Sequence, residues 1–374
     1  MQHNLRASLM QFANVLQTEL FPRLSEEVGP MSSHTALFVA ACVMIPFERY
    51  IPCGRWIGRP SRDRLSIARA FLAKSIFGLK TTRQLLERLR VDTSLRSLCG
   101  WSSVRQLPHE STFSRAFAEF AESGLPEFAH EAVIKATQSQ RLIGHISRDS
   151  TAIQARERYP ESKLGKLQRG SGAKTKDKKK ALGASRLPEQ SLRMDGEQMM
   201  MKLPVRCSLG VKQSSRGHRS YWRGYKLHLD VADGQIPITA LVTSASLHDS
   251  QAAIPMMRVT SKRVTYLYDL MDSAYDAELI HQVSGELNHL PIIDTKSPQN
   301  QVTQLPSRRK LKKEMAPAQK MRFRNRTTVE RVYSRLKDEF GAADIRVRGG
   351  KKVAAHLMFG VLALTVDQLL RLAG

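Results

Sequence analysis

The segment LIGHISRDSTAIQA, Leu142 to Ala155, decides the fold. It carries the two-residue alternation of a strand, and what precedes it carries the longer period of helices. Upstream, SRDRLSIARAFLAKSIFGLK (Ser61–Lys80) places Leu65, Ala68, Leu72, Ile76 and Leu79 at helical spacing behind a polar start. TTRQLLERLRVD (Thr81–Asp92) opens with a capping threonine. A loop around CGWSSVRQLPHE leads into STFSRAFAEFAESG, whose Phe113, Phe117 and Phe120 form one stripe. Residues 61–140 therefore read as an all-helical domain. Its loop and second helix fit a helix-turn-helix or an ordinary helix pair equally well. Residues 1–60 read as a helical segment broken by Pro22, Pro30 and Pro46, with no legible role.

Downstream, GYKLHLDVAD (Gly224–Asp233) and IPITALVTSASLHD (Ile236–Asp249) are two further strands joined by the turn Asp-Gly-Gln. VTYLYDLMDSAYD (Val264–Asp276) is a fourth strand running into a helix from about Asp276, and LPIIDTKS (Leu290–Ser297) is a short fifth. A helix around Glu330 and a C-terminal helix follow. The expectation is an α/β domain over 141–374, a mixed sheet flanked by helices and preceded by the all-helical part. An interruption at about 157–221 carries Lys174, Lys176, Lys178, Lys179 and Lys180 with few apolar residues, which predicts an exposed, basic arm. A second basic stretch, Arg308 to Arg326, holds nine Lys/Arg and one acid, Glu314.

The chain has 374 residues, with 59 Lys plus Arg against 34 acids, a formal net charge of +25. Such an excess points to a polyanionic partner, above all nucleic acid. Cys42, Cys53, Cys99 and Cys207 are scattered, with no CxxC pair, which argues against a zinc module and a disulfide framework. The apolar run Thr35–Phe47 is shorter than the roughly 20 residues that span a bilayer. The run Val353–Leu372 is long enough, but His356, Asp367, Gln368 and Arg371 interrupt it, so it reads as a core or partner-facing helix. No signal-peptide pattern opens the chain. The expectation is a cytoplasmic protein that meets DNA and neither a membrane nor a small-molecule substrate.

Three acids stand at structural transitions: Asp149 at the end of the first strand, Asp272 at the end of the fourth, and Glu330 on a helix crowded with arginine. Ligands of open α/β sheets gather at strand ends. Three converging carboxylates suit two Mg²⁺ or Mn²⁺ ions, hard cations that also bind phosphate, and two metals roughly 3.5–4 Å apart clamp an in-line phosphoryl displacement. Arg326, Glu330 and Lys337, offset by four and seven residues, share one helix face. The glutamate would hold metal while the cations contact phosphates. Asp269 reads as strand-facing and Asp276 as a helix cap; His248-Asp249 reads as a strand-end turn, with a place near the metals as the alternative, and Trp101 and Trp222 as packing residues, with base stacking as the alternative.

In FRNRTTVERVYSRLK, the residues Phe323, Arg326, Glu330 and Lys337 stand at the spacing Tyr-x2-Arg-x3-Glu-x6-Lys, with phenylalanine for the tyrosine. Asp149-Ser150-Thr151 and Asp272-x-x-Tyr275-Asp276 complete a pattern that resembles the DDE-class transposases of bacterial insertion sequences. The resemblance covers about residues 60–374. It implies a ribonuclease-H-like catalytic domain with Asp149, Asp272 and Glu330 as catalytic and metal-binding residues. It also implies DNA contacts from Arg322, Arg324, Arg326, Arg331, Lys337, Lys174, Lys178, Lys179 and Lys180, element-end binding by the helical domain, and a homodimer on DNA. The alternatives are a metal-dependent nuclease of the same fold and a catalytically inactive DNA-binding relative.

Overall fold

A computed structural model describes residues 15–20, 22, 23, 26, 31–51, 63–157, 194–213, 218–294 and 315–373. The N-terminal part contributes α1 (Ser33–Met44), α2 (Arg64–Ile76), α3 (Thr82–Val91), α4 (Thr93–Cys99), α5 (Glu110–Ser123) and α6 (Leu125–Gln138). Each start is chemically marked. Asp63 accepts from the backbone N–H groups of Leu65 and Ser66, and Thr81 forms a capping box with Gln84. Gly124, at φ +67°, ends α5 and opens α6 in the left-handed conformation that glycine adopts without steric cost. The phenylalanine stripe is buried as its spacing predicts, and Phe71 of α2 packs against Phe113, Phe117 and Phe120.

The second part contributes β1 (Leu142–Gln154), α7 (Gly196–Lys202), β2 (Ser208–Gln213), β3 (Arg219–Ala232), β4 (Ile236–Ser244), α8 (Ser250–Arg263), β5 (Thr265–Met271), α9 (Glu278–Glu286) and β6 (Leu290–Ile293). It closes with α10 (Pro317–Phe323), α11 (Thr328–Asp338) and α12 (Gly350–Ala373). The six strands form one mixed sheet. β1 pairs antiparallel with β3 and parallel with β5, and β5 pairs parallel with β6. β3 is 14 residues long. Its first half pairs with β2 and its second half with both β1 and β4. The order β4–β3–β1–β5–β6 places β1 in the middle, as the ribonuclease-H-like expectation requires.

Helix α12 joins the two parts. It packs on α1, α2, α5 and α6 as well as on β4 and α11, so the helical layer and one sheet face share a continuous core. Among the described residues it is the one helix long and apolar enough to cross a membrane, and its length is buried inside this core. A second, smaller cluster lies between α8, α9 and the tip of β5, around Met257, Met271, Tyr275 and Ile280.

The structure differs from the sequence reading across 194–221. α7 lies against α8 with Met199 and Leu203 buried, and β2 is an additional strand. β2 escapes a periodicity reading because Leu209, Val211 and Lys212 are all exposed, so no burial alternation marks it. The lysines Lys174, Lys176, Lys178, Lys179 and Lys180 lie outside the described residues, as does most of the basic stretch before Met315.

Candidate active site

The site is built where α11 crosses β1. Ser147, Asp149 and Thr151 follow at two-residue intervals and leave the same face of the strand. Ser147 Oγ donates to the Asn325 carbonyl (3.0 Å), and Lys337 Nζ donates to Thr151 Oγ1 (2.6 Å). Between them the Tyr333 hydroxyl donates to the Asp149 carbonyl (2.6 Å), with the Leu227 carbonyl as a second acceptor at 3.1 Å. The apolar stripe Val329, Val332, Tyr333 and Leu336 drives this docking, because all four are buried. Three polar contacts along one strand fix the helix's register and leave Glu330 at the front of the site.

Arg326 lies in the 3₁₀ turn before α11 rather than in the helix itself. Its Nη2 donates to Glu330 Oε1 (2.9 Å) and its Nη1 lies 3.8 Å from Asp149 Oδ2, so one guanidinium ties the helix carboxylate to the strand carboxylate. Its planar fork also faces the Phe323 ring, 5.9 Å from the centroid, where the family signature has tyrosine.

Asp149 and Asp272 come together through strand pairing. β1 and β5 run parallel with Ser147 opposite Leu270. Asp149 follows that last pair by two residues on β1, and Asp272 follows it by two residues just past the end of β5, near enough for its charge to act on Asp149. Asp272 also caps the next 3₁₀ turn, accepting from the Ala274 N–H (2.9 Å). The expectation that Asp149 sits at a strand end is corrected. β1 continues to Gln154 on its β3 side, and Asp149 lies where β5 stops at Met271 and the sheet opens. Burial pushes the Asp149 carboxyl up to about 6, and the nearby Asp272 and Asp249 carboxylates add to the effect against the Ser150 N–H and Arg326.

Asp249 lies in the turn between β4 and α8, as expected, and its Oδ1 also accepts from Ser150 Oγ (2.8 Å) and from Lys226 Nζ (2.9 Å). Burial works to raise its pKa, but its cationic and hydrogen-bonding neighbours hold it below the usual carboxylate range. The neighbouring His228 is buried and pushed down to about 4, which makes Lys226 the cation that matters near pH 7. Asp276 does not cap α9, whose N-cap is Ala277, and pairs instead with His281 (3.3 Å).

On the opposite face of β1, Arg148 is fully buried. Its Nε and Nη2 donate to both oxygens of Asp230 at 2.7 Å, and its Nη1 donates to Asp269 Oδ1 (3.1 Å). Thr260, Ser284 and Tyr266 complete the shells of the two carboxylates. Asp269 is thus an internal ion-pair partner. This network ties β1, β3 and β5 together directly behind the acidic pair.

Among the described residues, no three His, Cys, Asp or Glu side chains lie close enough together to hold a metal ion, and Glu330 is engaged by Arg326. The donor chemistry nevertheless suits a hard cation. The acids are all-oxygen ligands, burial raises the Asp149 pKa, and the buried Tyr275 hydroxyl has no protein partner. Of the expected DNA contacts, Arg322, Arg324 and Arg331 are exposed, and Arg322 lies over the Tyr268 ring at 4.7 Å. Arg326 and Lys337 are half-buried and bonded within the site. Trp101 is buried as expected, and Trp222 covers Gly210 on the neighbouring strand. Sequence reasoning missed Tyr333, Lys226 and the Arg148 network. Only Tyr333 had a local signal, its place in the apolar stripe.

A mixed sheet with paired aspartates where its central strands part, crossed by a helix bearing a glutamate, defines a ribonuclease-H-like nucleic-acid enzyme domain. The comparisons agree. The chain matches the transposase DDE domain family over residues 145–366 and a transposase domain family (DUF772) over residues 40–119. The first match covers more than half of the chain, and the protein belongs to the DDE transposase family. That family acts on DNA and generally uses divalent metal ions. A search of curated proteins gives no match.

Proposed function

We propose that the protein binds the terminal inverted repeats of an insertion sequence, cuts phosphodiester bonds there and joins the freed 3′-hydroxyl to target DNA. The observation that supports this reading is that Asp149 and Asp272 both follow the last β1–β5 pair by two residues, with Glu330 tied to Asp149 through Arg326. Asp149, Asp272 and Glu330 are the residues that would hold Mg²⁺ or Mn²⁺, two ions in this reading. Such ions activate water and stabilise the leaving 3′ oxygen. Arg322, Arg324 and Arg331 would bind the DNA backbone, joined by Lys174, Lys178, Lys179 and Lys180 beyond the described residues. Arg326 would orient Asp149 and Glu330, and Lys337 would hold the strand at Thr151, both close enough to the centre to meet the scissile phosphate once DNA is bound. No covalent enzyme–DNA intermediate is expected from three carboxylates. Two copies would act together on paired ends in the cytoplasm, with the helical residues 61–140 holding the repeat.

The test is nicking of a labelled duplex taken from the DNA flanking the gene, in Mg²⁺ or Mn²⁺, followed by joining to a second DNA. Nicking without joining would leave a nuclease. Binding without nicking, in a folded chain, would leave a DNA-binding relative.

A further inference from the structure

The acidic site contains a polar arrangement that the DDE triad does not use. Asp249 stands beside Asp149, its Oδ1 shared between the Ser150 hydroxyl (2.8 Å) and the Lys226 ammonium (2.9 Å). Lys226 also donates to the Leu247 carbonyl (2.8 Å), which pins the loop that carries Asp249. Ser150 follows Asp149 directly, so this chain of contacts ends on the backbone of the strand that presents the first aspartate. A second, independent observation points to a missing ligand. Tyr275 is fully buried, and its hydroxyl has no hydrogen-bond partner in the protein. Burial is the main influence on that hydroxyl, and Asp249, Asp149, Tyr333 and Asp272 act on it as well. A buried donor left without a partner costs about 1–3 kcal/mol, and this one lies where the charges of the acids act on it.

We propose that Asp249 is a fourth acidic residue of the catalytic centre, a positioning residue that braces the Asp149 strand through Ser150 and whose charge, balanced by Lys226, sets how strongly the centre attracts divalent cations. This rests on the metal-binding reading of the triad. Asp249 need not touch the ion. Removing it leaves Lys226 as an uncompensated positive charge close to the cation, which repels it. Removing Lys226 has the opposite effect, because Asp249 then acts unopposed. A purely structural role makes no such distinction, since either loss would loosen the same loop.

The experiment is Mn²⁺ binding to the full, DNA-free chain, followed by titration calorimetry, with unfolding curves in EDTA to confirm that each variant is folded. Asp249→Asn should bind Mn²⁺ about tenfold more weakly, the scale of one unit charge at close range in a partly screened site. Lys226→Met should bind at least about threefold more tightly. The double variant should return to within about twofold of the wild type, because a neutral pair replaces a balanced one. If Asp249→Asn matches the wild type, or if Lys226→Met weakens binding as Asp249→Asn does, the proposal is overturned. If Asp249→Asn does not fold, the sign of the Lys226→Met change decides alone. A wild type that takes up no Mn²⁺ overturns the metal reading and this inference together, whereas a wild type that binds and an unaffected Asp249→Asn overturn only the inference.

Discussion

Asp149→Asn should make the metal-free protein more stable while abolishing its chemistry. Burial and neighbouring carboxylates raise the Asp149 pKa from 3.8 to about 6. The side chain is 21% exposed, so solvent screens this effect only in part. A rise of about 2 units corresponds to about 3 kcal/mol against the charged form at pH 7, as an upper value. The direction follows from proton uptake. Between about pH 4 and 6 the folded state holds a proton on Asp149 that the unfolded state has released, so this group makes stability fall as pH rises through that window. Above about pH 6 the full penalty is present, and below about pH 4 it is absent. Asparagine keeps the shape and an acceptor for the Ser150 N–H but carries no charge. Urea unfolding in EDTA should therefore give equal stability for the two proteins at pH 4 and an advantage for Asp149→Asn of up to about 3 kcal/mol at pH 7, which in thermal unfolding is about 4 °C in midpoint for a chain of this length. Mn²⁺ at a hundred times its Kd should return about 2.7 kcal/mol to the wild type and much less to the variant. A variant no more stable than the wild type at pH 7, or an advantage unchanged at pH 4, would refute the reasoning.

Glu330→Gln should abolish nicking and joining and leave binding to end DNA intact, as should Asp272→Asn; their combined loss should not exceed either alone. Glu339→Gln is the control, because Glu339 accepts both hydrogen bonds from Arg335 and faces α12 rather than the acids; nicking by Glu330→Gln at the wild-type rate would end the triad assignment. Arg148→Met leaves Asp230 and Asp269 buried without their counter-ion and should cost about 3–5 kcal/mol in urea unfolding, and a loss below about 1 kcal/mol would mean that the network is not a brace. Tyr333→Phe removes the hydroxyl that reaches the Asp149 carbonyl and should cost about 1–2 kcal/mol, with a matching drop in nicking if the clamp positions Asp149. DNA binding should weaken with salt, each neutralised phosphate adding about −0.9 to the slope of log K against log salt, and a flat response would remove the electrostatic reading of the +25 charge.

What could be read from the sequence was local. The period change at Leu142, the cap at Thr81 and the turn at Asp233 are each written within a few residues, and each proved correct in the structure. The spacing around Glu330 is local as well, which is why the helix could be singled out. The pairing of Asp149 with Asp272 could not be derived in this way, because it depends on β1 and β5 running parallel in one register. Arg148 is harder still. In a strand reading it is one more polar residue between Ser147 and Asp149, and its partners lie 82 and 121 residues away. Asp249 read as a turn residue for the same reason, since its partner Lys226 is reached across the β3–β4 hairpin.

The arginine-rich helix takes on a different meaning once those long-range contacts are known. A basic helix in a +25 protein invites the view that its cations all face DNA. Instead Arg326 holds Glu330, Lys337 holds Thr151, and Arg335 holds Glu339 and Asp367. Arg324 and Arg331 remain exposed. The internal cations and the exposed ones therefore separate experimentally. Neutralising Arg324 or Arg331 should lower the salt slope by about 1 each with the unfolding midpoint unchanged, whereas neutralising Arg335 should shift the midpoint and leave the slope alone. The reverse pattern would mean that the helix is held by its apolar stripe alone and that its cations are all free for the phosphates.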